Sequence, residues 1–373
     1  MLSNETRYRD FPALADMAYL NTAAESIPPV SVHEALAQYA RDKGLGMRGR
    51  VPHNETMEAC REVAARMVGL QTEEVSFCSC SSEAYNLLAN ALHLGTDDEV
   101  VITDLDFPAG ATPWLNAAEP PQTRLWPARE GELDANDLPA LLNERTRLVQ
   151  VSLVSFYNGH RLDWAPFIEA VRAHAPQAIV AVDVTQALGR VELDCSDFDI
   201  LISSTHKWTL GVHGGCVVGV PQNDRDLTTH AGGWYHLQNA FEADRFERTV
   251  RKPGAASFSV GMPNYAAIYA LNAALRYLEN IGLANITAHA DPLVAKLESG
   301  LQELDLTPMA AQRVGNASGI LAIRHDRADA IHATLEAAEV HVMNHAGRLR
   351  MALHGYNTAA DVEKFLSVLK GTL

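Results

Sequence analysis

Basic residues, cysteines and long apolar runs are all scarce in this 373-residue sequence, and each scarcity closes a class of function. Lys and Arg number 30 against 46 Asp and Glu, a formal charge of −16, and no basic run occurs. A general nucleic-acid or anionic-membrane surface needs such a patch, so only a local basic pocket stays open. No stretch is long and apolar enough to span a bilayer, and Met1-Leu2-Ser3-Asn4-Glu5 starts no basic-then-apolar leader. The expected location is cytoplasmic. Five cysteines make no disulfide framework in a chain of this size. Cys78-Ser79-Cys80 has neither a second cysteine pair nor a His-Glu-x-x-His helix to complete a metal site. There is no internal repeat.

What is present is an ordinary globular composition, 47% hydrophobic, long enough for about two domains. Apolar spacing predicts helices over 33–43 and 55–68. Strands and helices then alternate. Strands are predicted over 75–78, 100–103, 124–126, 148–154, 179–182, 199–202 and 215–220. The helices fall over 82–92, after Pro108, over 137–143 and over 165–175. This rhythm implies an α/β fold, a mostly parallel sheet covered by helices, with the strand-end loops gathered on one edge. Residues 222–256 break the rhythm and read as a long functional loop. A long helix over 264–280 is followed by a small C-terminal α+β unit. The expected division is a large domain over 16–262, a linking helix over 263–284, and a small domain over 285–373 joined by residues 1–15.

The most informative stretch is Ser203-Ser204-Thr205-His206-Lys207-Trp208. It follows the apolar run Phe198-Asp199-Ile200-Leu201-Ile202, so Lys207 stands at a buried strand's carboxyl end. Desolvated there, a lysine can act as a neutral amine and form a Schiff base, although an isolated loop lysine is often only a surface charge. Four other strand ends converge on this edge. Asp183, closing Ile179-Val180-Ala181-Val182, needs a basic or protonated partner or caps the next turn. Gln186 lies just beyond it. Ser81 and Ser82 start a helix, where amides and hydroxyls bind a phosphate or simply cap. Phe107, in Asp106-Phe107-Pro108, can lie against a flat ring or pack in the core. Arg350, in the alternating strand Arg348-Leu349-Arg350-Met351, suits a carboxylate held by two parallel hydrogen bonds, or an ordinary salt bridge.

Together these residues resemble the class V aminotransferases, pyridoxal-phosphate enzymes with the aspartate aminotransferase fold. The resemblance runs through Tyr19-Leu20-Asn21-Thr22, Glu83-Ala84-Tyr85-Asn86, Asp183-x-x-Gln186, Ser204-x-His206-Lys207 and Arg350 before Tyr356-Asn357-Thr358. It implies that Lys207 carries pyridoxal 5'-phosphate and that Asp183 and Gln186 hold the ring. Ser81, Ser82, Ser204 and His206 would then serve the phosphate end, Phe107 would stack on the ring, and Arg350 would take the substrate carboxylate. His206-Lys207-Trp208, Gly232-Gly233-Trp234 and Gly159-His160-Arg161-Leu162-Asp163 look most like the isopenicillin N epimerase, selenocysteine lyase and cysteine desulfurase-like branch. Two departures stand out. The stretch 341–347, where cysteine desulfurases carry a mobile cysteine, has none, and the last cysteine is Cys216. Met262 replaces a residue that in relatives lends a hydrogen bond to the partner subunit's phosphate.

The expected protein is a homodimeric, cytoplasmic enzyme acting on an amino acid or an amino-acid conjugate, with transamination or β-elimination of a thiol favoured over epimerisation. Tyr157, Arg48 and Trp234, with Arg50 and Arg161, are candidates to meet the distal part of the substrate. Tyr157 and His213 are the side chains that could serve an epimerase as second acid. Two other classes stay open. Gly44-Leu45-Gly46-Met47-Arg48-Gly49 fits the Gly-x-Gly-x-x-Gly dinucleotide pattern, but a predicted helix rather than a strand precedes it. A non-catalytic cofactor-binding protein is the other.

Overall fold

The computed structural model describes residues 1–225, 227–312 and 317–373. The chain opens with α1 (Asn4–Asp10), β1 (Ala18–Tyr19), α2 (Val30–Lys43) and α3 (Arg50–Val68). The alternating part follows: β2 (Val75–Cys78), α4 (Ser81–Leu92), β3 (Glu99–Thr103), α5 (Pro108–Leu115), β4 (Gln122–Trp126), β5 (Thr146–Ser152), α6 (Trp164–His174), β6 (Ile179–Asp183), β7 (Ile200–Ser204) and β8 (Cys216–Gly219). After a long irregular segment come α7 (Tyr265–Ile281) and α8 (Leu283–Gln302). The chain finishes with β9 (Ile320–Arg324), α9 (Ala328–Ala337), β10 (Val340–His341), β11 (Met343–His345), β12 (Arg348–Ala352) and α10 (Ala359–Thr372).

The α/β architecture expected from the alternation is present. Seven strands form one sheet in the order β2-β8-β7-β6-β5-β3-β4. All neighbours run parallel except β8, which is antiparallel to both β2 and β7. Every other strand therefore ends on the same edge, and Cys78, Thr103, Ser152, Asp183 and Ser204 stand there together. The central strands are buried along their whole length and read as continuous apolar runs, because helices cover both faces. One core lies between this sheet and α3, α6 and α7, and another lies under α4 and α5.

The second sheet is three-stranded and antiparallel, in the order β11-β12-β9. Alternation along its strands divides the side chains. Leu321, Ile323, Leu349, Met351 and Leu353 pack with α8, α9 and α10, whereas Ile320 and Ala352 join the core of the large sheet. The face of β12 that carries Arg348, Arg350 and Ala352 is therefore turned toward the large sheet. The amino-terminal segment ties the two layers together. Ala18 and Tyr19 pair in parallel with Val340 and His341, and the buried Arg7 meets Asp361 at 3.1 Å.

One predicted element differs. The helix expected over 137–143 is a 3₁₀ turn, Ala135–Ala140, started by Asp134 Oδ1 accepting the Asn136 amide at 2.9 Å. Pro139 lacks the amide proton that a continuing helix would need. Among the described residues, 222–256 hold an isolated bridge, Leu237 to Arg251, and run into a 3₁₀ turn, Gly254–Phe258. No helix among the described residues is long and apolar enough to cross a membrane.

Candidate active site

At the common strand edge lies a cavity of about 560 Å³, partly open to solvent and lined by Ser81, Phe107, Phe156, Asp183, Thr185, Gln186, Ser204, His206 and Lys207, among others. Five strand ends or the loops after them supply these groups, which is why residues far apart in sequence meet there.

Asp183 closes β6 with its carboxylate held from two sides. The Thr185 amide donates to Oδ1 at 2.8 Å, and the buried Tyr85 hydroxyl donates to Oδ2 at 2.8 Å. Its position is thus fixed before any ligand arrives. Gln186 accepts from Trp208 Nε1 at 2.6 Å and donates from Nε2 to the Ala23 carbonyl at 3.0 Å, which pins residues 21–26 over the lysine loop. Ser26 completes the closure by donating its amide and hydroxyl to the His206 carbonyl at 2.9 and 3.0 Å.

Lys207 is half-buried, with Nζ 5.3 Å from the centre of the Phe107 ring. Burial pushes its ammonium down to about 8, Asp183 opposes that shift, and Arg350 adds to it. About a tenth of the amine is therefore neutral at pH 7, far more than for an exposed lysine, as an amine nucleophile requires. Phe107 is partly exposed and meets Phe156 edge-on at 5.0 Å, leaving its face toward the lysine.

Helix α4 points its amino terminus at the cavity, and its first residue Ser81 lines the wall. No side chain caps this end, so its first amides keep their donor capacity for an anion. Ser204 and His206 stand across from it in the lining. His206 stacks on His213 with ring centres 4.4 Å apart, and burial with the neighbouring Lys207 charge lowers it to about 4. It is neutral at pH 7 and offers a hydrogen bond rather than a charge. Ser82 faces solvent, outside the lining, and its carbonyl accepts from Asn86 Nδ2 at 2.8 Å.

Arg350 is 1% exposed, and its Nη1 donates to the Phe156 carbonyl at 2.5 Å behind the cavity wall. Its Nε and Nη2 are buried without any acceptor. A desolvated guanidinium with two vacant donors is a receptor for a carboxylate. The loop that brings Phe156 there is a tight hairpin, closed by the Ser155 amide donating to the His160 carbonyl at 2.8 Å. Gly159 makes its docking possible. It has φ 83°, and a Cβ would stand 2.3 Å from the Ile320 carbonyl oxygen of β9.

The remaining candidates are not in the lining. Tyr157 lies just outside, its ring under Arg348 at 4.1 Å and its hydroxyl accepting from Arg324. Arg48 is exposed on the turn Gly46–Gly49, and Arg161 is paired with Asp194 at 3.0 Å. Trp234 is 39% exposed and contacts Tyr235 and Phe241. The glycine-rich run 44–49 joins α2 directly to α3, so no strand feeds it and the dinucleotide context is missing.

Four residues with no role legible in the sequence shape the site. Tyr85 and Thr185 fix Asp183, and the Thr185 hydroxyl also accepts the Ser204 amide at 3.0 Å. Asp106 accepts from Ser152 Oγ at 2.9 Å, and burial pushes its carboxyl up to about 7. Arg348 is buried beside Arg350. Only the alternation of Arg348 and Arg350 left a signal in the sequence.

A flat, phosphate-bearing cofactor fits these groups. The carboxylate, the aromatic face, the amine and the anion-binding helix end belong to one cavity. Comparison with known proteins agrees. The family model described as Aminotransferase class-V matches residues 18–365. The chain is 27% identical over 368 residues to the uncharacterized aminotransferase YcbU of Bacillus subtilis, covering 95% of each. It is 31% identical over 323 residues to the cysteine desulfurase of Cronobacter sakazakii, covering 80% of this chain and 77% of that one. Among solved structures, the apo cysteine desulfurase of Thermococcus onnurineus superposes with TM-score 0.87 at 23% identity, over 100% of this chain and 99% of the other. A variant of C-DES with glycine covalently linked to its PLP cofactor gives TM-score 0.86 at 21% identity, over 98% and 99%.

Proposed function

The chain belongs to the class V aminotransferase family, and from that membership we propose that it removes the α-proton of an amino acid at Lys207, with transamination or β-elimination as the outcome. The observation that carries this reading is the Arg350 guanidinium, buried with Nε and Nη2 unpartnered and close enough to Lys207 to depress its basicity. A carboxylate held there would set a small α-amino acid across the cavity with its α-carbon toward the lysine.

The cofactor is pyridoxal 5'-phosphate, which when bound supplies an electron sink for the pair left by the departing proton. Lys207 is the residue that would hold it, and its amine would serve as the base that takes the α-proton. Asp183, braced by Tyr85 and the Thr185 amide, would hold the ring nitrogen. Ser81, Ser204, His206 and the α4 amides would receive the phosphate, Phe107 would cover the ring, and Gln186 would stand near its rim.

Sulfur transfer through a persulfide on the 341–347 stretch has no support, because that stretch contains no cysteine; Cys216 is buried in the sheet, and the one cysteine in the described cavity lining is Cys80, beside Ser81 at the start of α4. Epimerisation gains none either. The Tyr157 hydroxyl accepts from Arg324, and His213 pairs with Glu25 at 3.1 Å while stacked on His206. A homodimer is part of the same proposal, supported by the exposure of Met47, Phe241 and Phe246 at 73%, 82% and 89%.

The test is reconstitution with pyridoxal phosphate, followed by a screen of ordinary and sulfur-containing amino acids scored for keto acid, pyruvate and thiol. Keto acid formed with cofactor amine marks transamination; pyruvate with released thiol marks β-elimination. Failure to take up the cofactor refutes the proposal, and light scattering of the loaded protein decides the dimer.

A further inference from the structure

Beyond Arg350, the small sheet brings a second group of basic side chains to the same face. Arg348 lies two residues before Arg350 on β12, so both point toward the large sheet. In the register of the sheet Arg348 stands directly opposite Arg324 of β9 on one side and His345 of β11 on the other. Like charges set opposite each other on antiparallel strands repel, and such pairs are ordinarily relieved by a nearby acid. Among the described residues, none of Arg324, Arg348 and Arg350 pairs with a carboxylate.

Arg348 is 3% exposed, and its Nε and Nη1 are buried without an acceptor. Its guanidinium carbon lies 4.1 Å from the centre of the Tyr157 ring and 5.9 Å from that of Phe156. Ring contacts of this kind supply no acceptor in the plane of the guanidinium, and Nε and Nη1 stay unsatisfied. Tyr157 is itself fixed from the far side, since its hydroxyl accepts from Arg324. Tyr157 and Arg324 thus act as positioning residues for a guanidinium whose hydrogen-bonding edge is vacant.

Two buried guanidinium groups with vacant donors, about 7 Å apart along one strand, call for two anionic groups in one ligand. Resting on the assignment of Arg350 to the α-carboxylate, we propose that the substrate is an amino acid whose short side chain ends in a second anion, received by Arg348. Aspartate, glutamate and cysteine sulfinate are the members of that class the site can be asked to separate.

The experiment titrates the pyridoxal-phosphate-loaded enzyme with each acid and with asparagine, glutamine and alanine, following the cofactor absorbance. Calorimetry with succinate and propionate adds a readout that needs no amine and no turnover. At least one acidic amino acid is expected to bind tenfold or more tightly than its neutral counterpart, and succinate more tightly than propionate. Arg348→Gln should bring acid and amide within about twofold while leaving the neutral ligands unchanged, and Arg348→Lys should keep part of the preference. Equal affinity for acid and amide in the wild type overturns the inference, whatever becomes of the variants. So does a loss in Arg348→Gln that is the same for both. A loaded enzyme whose absorbance responds to no amino acid overturns the α-carboxylate assignment itself, a distinct result.

Discussion

The Tyr85 hydroxyl donates to Asp183 Oδ2 across 2.8 Å, and Gln150 Nε2 donates to the same phenol oxygen at 3.2 Å. All three side chains are buried, so no bulk water competes. Burial and the Asp183 charge both hold the phenol protonated, which keeps it a donor. Tyr85→Phe removes a charge-assisted bond worth about 1.5–3 kcal/mol from a carboxylate that cannot recruit solvent. The variant should fold and bind pyridoxal phosphate at least tenfold more weakly in equilibrium dialysis; wild-type affinity would deny Tyr85 its positioning role.

The lowered ammonium of Lys207 makes cofactor uptake pH-dependent. Its charged form is disfavoured by burial, with a midpoint about 8, and only the neutral amine attacks an aldehyde. The rate of covalent uptake by the apoprotein should therefore rise with pH, flattening above about 8 and falling about tenfold per unit well below it. Borohydride reduction and peptide mapping should place the adduct on Lys207, and Lys207→Ala should yield none. An adduct on another lysine contradicts the assignment.

Arg350→Gln should leave the absorbance of bound cofactor intact, because Arg350 is outside the cavity lining. Two charge-assisted bonds to a carboxylate, at about 1.5–3 kcal/mol each, correspond to a loss of substrate affinity of about a hundred- to ten-thousandfold. Titration with amino acids measures it. Loss of the cofactor signal itself would show that Arg350 supports the fold or the cofactor instead.

His354 makes the fold sensitive to acid. The Gly355 amide donates to its Nδ1 at 2.7 Å, so the proton sits on Nε2, which donates to the Trp208 carbonyl at 2.9 Å. Burial lowers this imidazole to about 3. Between about 6.5 and 3 the unfolded chain binds a proton that the folded chain refuses, so stability falls as pH drops through that window. One such group contributes a slope of about 1.4 kcal/mol per pH unit. Urea denaturation at pH 7, 6 and 5 should show it, reduced in His354→Gln; an unchanged slope in that variant would assign the acid sensitivity elsewhere.

The sequence by itself determined the sheet and the cofactor end of the site. A parallel strand buried on both faces must be a short β-branched run, and its carboxyl end must carry whatever polar group it delivers, so Asp183, Ser204, His206 and Lys207 were legible one by one. Arg350 was legible as one half of an alternation. What the sequence could not determine was which side chains brace these groups, because bracing joins residues with no fixed spacing. Tyr85 reaches Asp183 across 98 positions, and Phe156 meets Arg350 across 194. Register decided the rest. Arg348 reads as an ordinary surface charge until pairing with β9 and β11 sets it between Arg324 and His345 and burial strips it of water. Local chemistry is written in runs and alternation, whereas the electrostatic demand for a second anion arises only where two sheets close on each other.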